Sequence, residues 1–561
     1  MDAIVFGATG FIGRSLVAEL LTRGQRVAAA VRHDTLTPWL AAQGVDTGGL
    51  EIFAADITRP LSGLPEVRDV YNAAGRFAFG LDSPEARATN VTGALNVLEW
   101  AAGLPRLRRL VHISGYRVSA AGSRPDHSAL GAYEASKAEG DLAMRARADE
   151  LGVPLTIANP ATVIGPGQYI GLATLVENLW NGRLPASPGG PDTFVPVTTI
   201  DHLVRFLAEI PASPRGEHYW VLDDSTPHLP ELIGTIARHT GVRAPRRTVP
   251  VGLLRRLPRG LTGADPETLS FLSADRYPTA SARAFAATAG LEMPPAADAL
   301  RAWADELVAA RFGSATPWHS PYGFHSVAGS RTWVIGERYR PAHVLLHGLP
   351  MNADLWAPLA ARLPGPVLAP DLPGLGRSSA TSRSVDTWLA DLLSPIRSRP
   401  VLVAHSVACG PALRFAVDRP DRISGLVLIS PSFLQAPAPR FVRSGAAAAM
   451  MRRMSAARLA RALGVPEGRE TESAAADLRR PGAARRAVSA LRTDMTERRR
   501  SRVLLDRVTV PVRIVAGSAD PLVSAVNCPV VEIEGAGHYP QLTHPTLVAG
   551  HLGTPSAAFG G

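Results

Sequence analysis

Cysteine, lysine and long apolar runs are all scarce in this sequence of 561 residues. The two cysteines, Cys409 and Cys528, are too few for a disulfide framework, which favours a reducing compartment, the cytoplasm. No Cys/His cluster has the spacing of metal ligands, so no metal site is expected. No apolar run is long enough to span a bilayer, and the first residues lack the basic and apolar regions of a signal peptide.

One segment of the chain has few acidic residues compared with its arginines. The formal net charge is +10, and residues 435–507 carry 17 Arg against 7 acidic residues, so this segment accounts for the whole surplus. The rest of the chain is balanced, and no nucleic-acid partner is expected. With 46% hydrophobic and 19% charged residues, the composition is that of a globular protein, and its length predicts at least two domains.

A glycine-rich turn follows the first predicted strand. The apolar run Ala3–Phe6 leads into GATGFIG at residues 7–13 and then into a helical pattern that ends at Gly24. Strand, glycine turn and helix are the context of a dinucleotide-binding motif, because glycines let the backbone approach a pyrophosphate at a helix N-terminus. The spacing here is GxxGxxG rather than GxGxxG.

Residues at the ends of the next strands indicate which cofactor is bound. Arg32 ends the second predicted strand, where NAD-preferring domains usually offer an acid to the ribose 2′-hydroxyl. Since a guanidinium suits a 2′-phosphate, we expect NADP, with NAD less favoured. Asp56 follows the third strand, where it could receive the adenine amino group. Ala73 and Ala74 follow the fourth strand, in a turn expected to pass under the nicotinamide ribose.

The single lysine of the chain stands four residues after a tyrosine, in Tyr133-Glu-Ala-Ser-Lys137. This spacing puts both side chains on one face of a helix. A nearby cation lowers the tyrosine pKa from its usual value of about 10, so the phenol can act as a general acid or base near neutral pH. An ammonium can also bond a ribose hydroxyl, and a guanidinium is not equivalent to it. A lysine kept in this Arg-rich chain therefore indicates function.

These motifs resemble the extended or atypical short-chain dehydrogenase/reductase family, nearest its dihydroflavonol-reductase and 3β-hydroxysteroid-dehydrogenase branches. The resemblance covers residues 1–312, an NAD(P)-binding reductase domain with a smaller substrate lobe. It implies Tyr133 as the acid/base, Lys137 as its partner and Ser114, after the fifth strand, as the group that hydrogen-bonds the substrate oxygen. The implied cofactor contacts are Gly7, Thr9, Gly10, Phe11, Ile12, Gly13, Arg32, Asp56, Ala73, Ala74, Tyr133, Lys137, Pro160 and Val163.

Two positions depart from that family. Gly115 stands where a second serine is common, so the role of Ser114 could pass to a shifted serine. Asn159 stands where many relatives have Arg, which leaves the substrate contacts open. Family members often dimerise, so a homodimer is an open expectation.

A new α/β pattern follows residues 313–328, which are rich in Gly, Pro and Ser and which we interpret as a linker. Farther along, a predicted strand, sharp turn and helix place Ser406 at the apex of the turn. Ala404 and Ala408 flank it, and small residues are needed there because bulk would collide across the turn. Both positions are usually Gly.

Two later strands deliver an acid and a histidine, Asp520 and His538. Ser, Asp and His in this order are typical of α/β-hydrolases, and residues 329–561 resemble that family. The resemblance implies Ser406 as nucleophile, His538 as base and Asp520 as the acid that orients it. It further implies an oxyanion hole made by the backbone amides of Leu349 and Val407.

The Arg-rich residues, about 434–507, lie where the hydrolase family inserts a helical cap. Their charge could steer anionic substrates such as CoA or carrier-protein thioesters toward the site. An equally good interpretation is a set of solvated helices in an Arg-biased chain, and the run Arg498–Arg500 is typical of an exposed face.

The sequence thus predicts an α/β protein with an N-terminal Rossmann-type doubly wound sheet and a C-terminal α/β-hydrolase fold. We expect a bifunctional enzyme for a small-molecule or acyl substrate. One half would reduce a ketone or aldehyde with NADPH, or run the reverse oxidation, and the other would hydrolyse an ester or thioester. Alternatives are an NAD-dependent epimerase or dehydratase, an acyltransferase or lactone-forming enzyme, and a non-catalytic binding module in either half.

Replacing the single lysine tests the interpretation of the N-terminal half. We expect Lys137→Arg to consume NADPH more slowly than the parent, because a guanidinium cannot support the phenol while it holds the ribose. Initial rates of NADPH oxidation with a carbonyl substrate would measure this. Equal rates in the two proteins would contradict the role given to the ammonium group.

Overall fold

Short runs of small and β-branched residues form the strands of the N-terminal half, because such side chains suit a sheet covered on both faces. The structure is a computed structural model that describes residues 1–75, 82–118, 132–213, 217–254, 256, 269 and 271–552. The strands of this half are β1 (Ala3–Phe6), β2 (Val27–Val31), β3 (Leu50–Ala54), β4 (Asp69–Asn72), β5 (Arg109–Ile113), β6 (Leu155–Pro160), β7 (Thr162–Ile164), β8 (Ser187–Pro188), β9 (Val197–Thr199), β10 (His218–Val221) and β11 (Thr248–Val249).

Among the described residues, seven of these strands form one sheet in the order β10-β6-β5-β4-β1-β2-β3. Every neighbouring pair in it is parallel. The order reverses direction at β1, as in doubly wound dinucleotide-binding folds, whose ligands bind at the carboxyl ends of the strands near such a reversal. The predicted Rossmann-type sheet is confirmed.

Helices cover both faces of this sheet. The helices of this half are α1 (Phe11–Thr22), α2 (Leu36–Ala42), α3 (Ser83–Arg87), α4 (Ala94–Ala102), α5 (Ala132–Leu151), α6 (Leu172–Trp180), α7 (Ile200–Glu209), α8 (Leu229–Thr240), α9 (Val251–Leu254), α10 (Ala280–Thr288) and α11 (Ala296–Ala309). Apolar residues of α1 and α7 share one core with the sheet, and those of α4 and α5 share the core on the other face. Thr199 opens α7 by accepting a hydrogen bond from the His202 N–H at 3.3 Å.

The C-terminal half contains a second sheet. Its strands are β12 (Tyr322–Val327), β13 (Ser330–Gly336), β14 (His343–Leu346), β15 (Val367–Pro370), β16 (Val401–His405), β17 (Gly425–Ile429), β18 (Val512–Gly517) and β19 (Val530–Ile533). They pair in the order β12-β13-β15-β14-β16-β17-β18-β19, antiparallel at β12-β13-β15 and parallel from there on. This is the α/β-hydrolase architecture that the sequence predicts.

Helices complete the second half. They are α12 (Ala357–Ala360), α13 (Val385–Leu393), α14 (Cys409–Asp418), α15 (Gly445–Arg453), α16 (Ala456–Leu463), α17 (Arg469–Arg479), α18 (Ala483–Leu505), α19 (Pro540–Thr543) and α20 (Pro545–Gly550). Helices α15 to α18 lie between β17 and β18 in the chain, within the segment expected to form the cap.

By its internal contacts the chain divides into two units. The first comprises Met1–Val176, Leu184–Ile236 and Pro245–Trp303; the second comprises Glu177–Arg183, Ala237–Ala244 and Ala304–Gly561. Both cysteines are free thiols. In the described part of the chain, no helix is both long and apolar enough to cross a membrane.

The linker interpretation of residues 313–328 is wrong at its C-terminal end. Tyr322–Val327 form β12, which pairs with β13 along its whole length. Phe324 and Val327 are buried, and Trp318 packs against the same core. The segment lacks the strict alternation of a half-buried strand, because two successive residues of β12 are buried and the next two are exposed. A segment rich in Gly, Pro and Ser therefore separates two elements here, but part of it also forms an edge strand that its composition does not predict.

Candidate active sites

The side chains of Ser406, His538 and Asp520 form a hydrogen-bonded chain in the second unit. The Ser406 Oγ lies 3.0 Å from the His538 Nε2, and the His538 Nδ1 lies 2.6 Å from the Asp520 Oδ2. The three residues follow three different strands of the sheet: Ser406 follows β16, Asp520 follows β18 and His538 follows β19. Such a chain can move the serine proton to the imidazole while the carboxylate fixes the ring.

Ser406 sits on a strained turn. Its φ angle is +56°, in the left-handed region that non-glycine residues rarely adopt, and α14 begins three residues later. Ala404 and Ala408 on either side are fully buried, which fits the small side chains expected there. The turn holds the serine hydroxyl at the carboxyl end of β16, within reach of His538.

The loop that carries Leu349 passes unusually close to this turn. A Cβ added to Gly348 would lie 2.4 Å from the His405 Nδ1 and 2.7 Å from the Ser406 Cβ, so only glycine fits. The Tyr539 hydroxyl donates to the Leu349 carbonyl at 2.6 Å and fixes that peptide. Leu349 is thereby held beside the nucleophile turn, where its amide is expected.

Two buried histidines support these loops. The His347 Nε2 accepts the Leu372 N–H at 2.9 Å, so its Nδ1 is the donor to the Gly348 carbonyl at 3.0 Å. The His405 Nε2 donates to the main-chain carbonyl of His538 at 2.8 Å. Burial lowers the pKa of both rings and keeps them neutral. His405 is thus structural, and the sequence motifs give no sign of the role of His347.

Gln435, after β17, is a further contact of the triad that sequence analysis missed. Its side-chain Nε2 donates to the Asp520 carboxylate oxygen that His538 also contacts, and it lies 3.3 Å from the Asp520 main-chain oxygen. Gln435 is buried. A lone Gln near a predicted strand end carries no motif, so only the fold reveals the contact.

Arginines of α18 hold the segment that carries Gln435. Arg498 donates to the carbonyls of Ser432 and Gln435, and Arg502 donates to the Phe433 carbonyl at 2.6 Å. The expectation of an exposed face at Arg498–Arg500 is therefore wrong for Arg498, although the next two arginines are exposed. Helix α18 therefore holds Gln435, which in turn contacts Asp520.

The glycine-rich turn of the first unit also depends on close approach. Gly7 has φ +74°, and a Cβ there would lie 2.6 Å from the Ala74 backbone. A Cβ on Gly13 would lie 2.1 Å from the Gly7 carbonyl. The turn therefore forms a bare backbone cradle at the N-terminus of α1, which has no acidic residue in its first turn. This cradle suits a pyrophosphate.

Basic and acidic groups lie near the expected adenosine end. Arg32 is exposed at the end of β2, and its charge contributes to lowering the pKa of Asp56, behind the larger effect of hydrogen bonds from Thr58. The guanidinium of Arg14, in the first turn of α1, lies 4.7 Å from the centre of the Trp39 ring. Arg14 is a second cation near the cradle that the sequence analysis did not consider.

Tyr133 and Lys137 lie one turn apart at the start of α5. Lys137 is buried, and its Nζ donates to the Ile113 carbonyl at 3.3 Å, at the end of β5. Ser114 follows directly, and its buried Oγ has no hydrogen-bond partner among the described residues. Burial lowers the pKa of Lys137 to about 8, while Asp141 partly opposes this. The fold thus brings Lys137 to the end of the strand that carries Ser114.

Buried polar groups surround this lysine. Asn90 lies in a π-helical turn, Ala88–Gly93, and its Nδ2 donates to the Ser136 Oγ at 3.0 Å. Asn159 at the end of β6 is fully buried, and neither atom of its amide has a partner in the described part of the chain. An unpaired buried amide costs about 1–3 kcal/mol, which is typical of a group that awaits a ligand.

Two family comparisons agree with this geometry. Residues 3–183 match the NAD dependent epimerase/dehydratase family, and residues 344–551 match the alpha/beta hydrolase family. The chain therefore joins an N-terminal domain of the epimerase and short-chain dehydrogenase/reductase type to a C-terminal α/β-hydrolase domain.

Individual relatives each match less than half of the chain. A protein named as a dihydroflavonol 4-reductase from Synechocystis sp. is 27% identical over 263 residues, which covers 44% of this chain and 75% of that protein. Sterol demethylase protein B from Methylococcus capsulatus is 28% identical over 273 residues, 46% of this chain and 79% of its own. Lipase LipV from Mycobacterium tuberculosis is 40% identical over 99 residues, 16% of this chain and 38% of its own.

The lowered pKa of Lys137 predicts how the N-terminal activity depends on pH. Below about pH 8 the ammonium is charged and supports the tyrosine; above it the charge is lost, so kcat/KM for carbonyl reduction should fall. Initial rates of NADPH oxidation from pH 6 to pH 10 would show this. In Lys137→Arg the charge persists, so the decline near pH 8 should disappear although the rates are low. The same decline in both proteins would rule out Lys137 as its source.

Removing the Gln435 amide should weaken ester hydrolysis. Hydrogen bonds to charged groups contribute about 1.5–3 kcal/mol, so we expect Gln435→Leu to lower kcat by about 10- to 100-fold, with little change in KM. Steady-state kinetics with a p-nitrophenyl ester would measure both. Gln541 is also fully buried, but it has no hydrogen bond to the triad, so Gln541→Leu is the control for lost packing. Equal losses in the two variants would contradict a specific role for Gln435.

Proposed function

We propose that the C-terminal domain hydrolyses an ester or thioester with Ser406 as its nucleophile. The observation that carries this proposal is the hydrogen-bonded chain from Ser406 through His538 to Asp520. His538 takes the serine proton as Oγ attacks the acyl carbon, and then gives it to the leaving alcohol or thiol. Asp520 and Gln435 keep the imidazole and its partner carboxylate in place. Water repeats the sequence to release the acid.

The developing oxyanion would be stabilised by the backbone amides of Leu349 and Val407. Val407 directly follows the nucleophile on the strained turn, and the carbonyl of the Gly348–Leu349 peptide, which carries the Leu349 N–H, accepts a hydrogen bond from His347. Gly348 allows the two loops to approach each other. Donors fixed in this way need no reorganisation when charge forms, which is why such sites accelerate acyl transfer.

For the N-terminal domain we propose oxidoreduction of a carbonyl or alcohol with NADP(H). The bare cradle at Gly7 and Gly13 fits a pyrophosphate, and Arg32 favours the 2′-phosphate of NADP over NAD. The cofactor, when bound, supplies or accepts the hydride. Tyr133 would give its phenolic proton to the carbonyl oxygen, and the buried Lys137 would lower the cost of the phenolate.

Ser114 and Asn159 would orient the substrate. The side chains of both are buried and have no hydrogen-bond partner within the described part of the chain, and they lie at the carboxyl ends of the neighbouring strands β5 and β6. Ser114 would donate to the substrate oxygen next to Tyr133. Asn159 offers both a donor and an acceptor, in place of the charged Arg of many relatives, and so favours a neutral polar group on the substrate.

An epimerase or dehydratase is the second candidate, because the matching family carries that description. Such an enzyme would return the hydride within each cycle and consume no cofactor. Steady NADPH consumption in the presence of a ketone or aldehyde would support the oxidoreductase. Turnover without net loss of NADPH or NADH would support the epimerase.

Two substitutions in the full chain should separate the activities. Ser406→Ala should lower ester hydrolysis by at least about 10³-fold and leave NADPH oxidation unchanged, because the sites use different residues. Tyr133→Phe should lower NADPH oxidation by about 10²- to 10⁴-fold and leave hydrolysis unchanged. Both assays are run on both variants, and loss of both activities in either one would argue against independent sites.

A further inference from the structure

A cavity of about 220 Å³ lies within the second unit, apart from the triad, since neither Ser406, Asp520 nor His538 lines it. Its lining includes the aromatic side chains of Trp318 and Trp333. A cavity of about 150 Å³ is enough to hold benzene, so this one has room for a single ring with a small substituent.

The aromatic wall of the cavity is rigid. Trp333 is fully buried, and the Tyr322 ring stacks on it with 5.9 Å between ring centroids and 20° between planes. The Arg377 guanidinium lies 5.0 Å from the centroid of the same ring. The Trp333 ring is therefore covered by its neighbours, and the half-buried ring of Trp318 is the aromatic surface left for a flat apolar group.

The buried charges of the cavity are already paired with one another. Asp354 lies 2.8 Å from the Arg377 guanidinium and accepts a hydrogen bond from Ser473, while Arg311 lies 3.1 Å from Asp477. Although burial opposes it, these arginines hold the pKa of Asp354 below its usual range. Because its carboxylate is engaged and ionised, Asp354 is not available to a cationic ligand.

The mouth of the cavity, by contrast, has surplus positive charge. Arg469, Glu472 and Arg479 line it and are exposed, which gives two cations against one anion. Among the described residues Arg469 makes no ion pair, and Arg479 donates a hydrogen bond to the Met454 carbonyl at 3.2 Å. Opposite charge is attracted to such a mouth, although Glu472 reduces the effect.

Two hydrogen-bond donors in the lining also lack acceptors. The indole N–H groups of Trp318 and Trp333 are buried and unpaired within the described residues. A buried donor of this kind favours a water or ligand atom that accepts a hydrogen bond from it.

We propose that this cavity binds a small aromatic or acyl carboxylate. Its apolar body packs against Trp318, and its carboxylate faces Arg469 and Arg479. Inorganic phosphate has no apolar body to cover the aromatic wall, and an ammonium ion meets two exposed cations at the mouth. The proposal does not depend on the hydrolase activity, which is measured separately.

Isothermal titration of the full chain with benzoate and hexanoate tests the proposal. Benzoate should bind at least tenfold more tightly than its neutral isostere benzamide, because one ion pair at the mouth is lost. It should also bind more tightly than inorganic phosphate. If neither carboxylate binds, if benzamide binds as well as benzoate, or if phosphate binds equally well, the proposal is wrong.

Substitutions locate the binding. Arg469→Ala combined with Arg479→Ala should weaken benzoate binding at least tenfold, and Ala476→Trp, which fills the cavity, should abolish it. Arg461→Ala is the matched control, since Arg461 is exposed on the neighbouring helix α16 and does not line the cavity, and it should bind as the parent does. Parental binding by both cavity variants would place the ligand elsewhere and overturn the assignment, whatever the ester-hydrolysis assay gives.

Discussion

Both candidate sites depend on backbone passing closer to its neighbours than a side chain would allow. At the nucleophile turn the Gly348 backbone lies against His405 and Ser406, and a single Cβ would collide with both. At the cofactor turn the backbone of Gly7 lies against Ala74, and Gly13 lies against the Gly7 carbonyl. These approaches are possible only because the surrounding strands are buried and rigid, which fixes the loops at their ends. The chemistry of each site is built on this geometry.

Positioning in the hydrolase domain reaches well beyond the three residues of the triad. Gln435 shares the carboxylate of Asp520 with His538, and arginines of helix α18 hold the loop that carries Gln435. Hydrogen bonds to backbone carbonyls therefore join α18 to the loop whose Gln435 contacts Asp520. Part of the positive surplus of residues 435–507 therefore holds the loop of Gln435 in place, because a guanidinium can donate to several carbonyls at once.

In the oxidoreductase domain, burial controls the chemistry. Burial lowers the pKa of Lys137 to about 8, so the charge of its ammonium group depends on the groups around it. The side chains of Ser114 and Asn159, at the ends of the neighbouring strands β5 and β6, are buried and have no hydrogen-bond partner among the described residues. A folded chain tolerates such unpaired groups where a ligand completes them, and here they mark the end of the sheet where a substrate would lie.

Some features followed from local patterns, and others could not. The glycine turn, the Tyr133–Lys137 spacing and the order Ser406, Asp520, His538 are read from short segments, because each reflects local geometry or chain order. The edge strand Tyr322–Val327 was missed, since its pairing partner and not its own pattern makes it a strand. Arg498 was assigned to an exposed face because a run of arginines says nothing about which carbonyls lie nearby.

The sequence by itself determined the two fold classes and the candidate residues carried by motifs, because buried strands, glycine turns and helical spacing are properties of neighbouring residues. Only the tertiary structure decided that Gln435 contacts Asp520, that His347 orders the loop of Gly348, and that Lys137 is buried at the end of β5. These contacts join residues far apart in the chain or depend on burial. No local pattern encodes them, because they exist only once the sheets have formed.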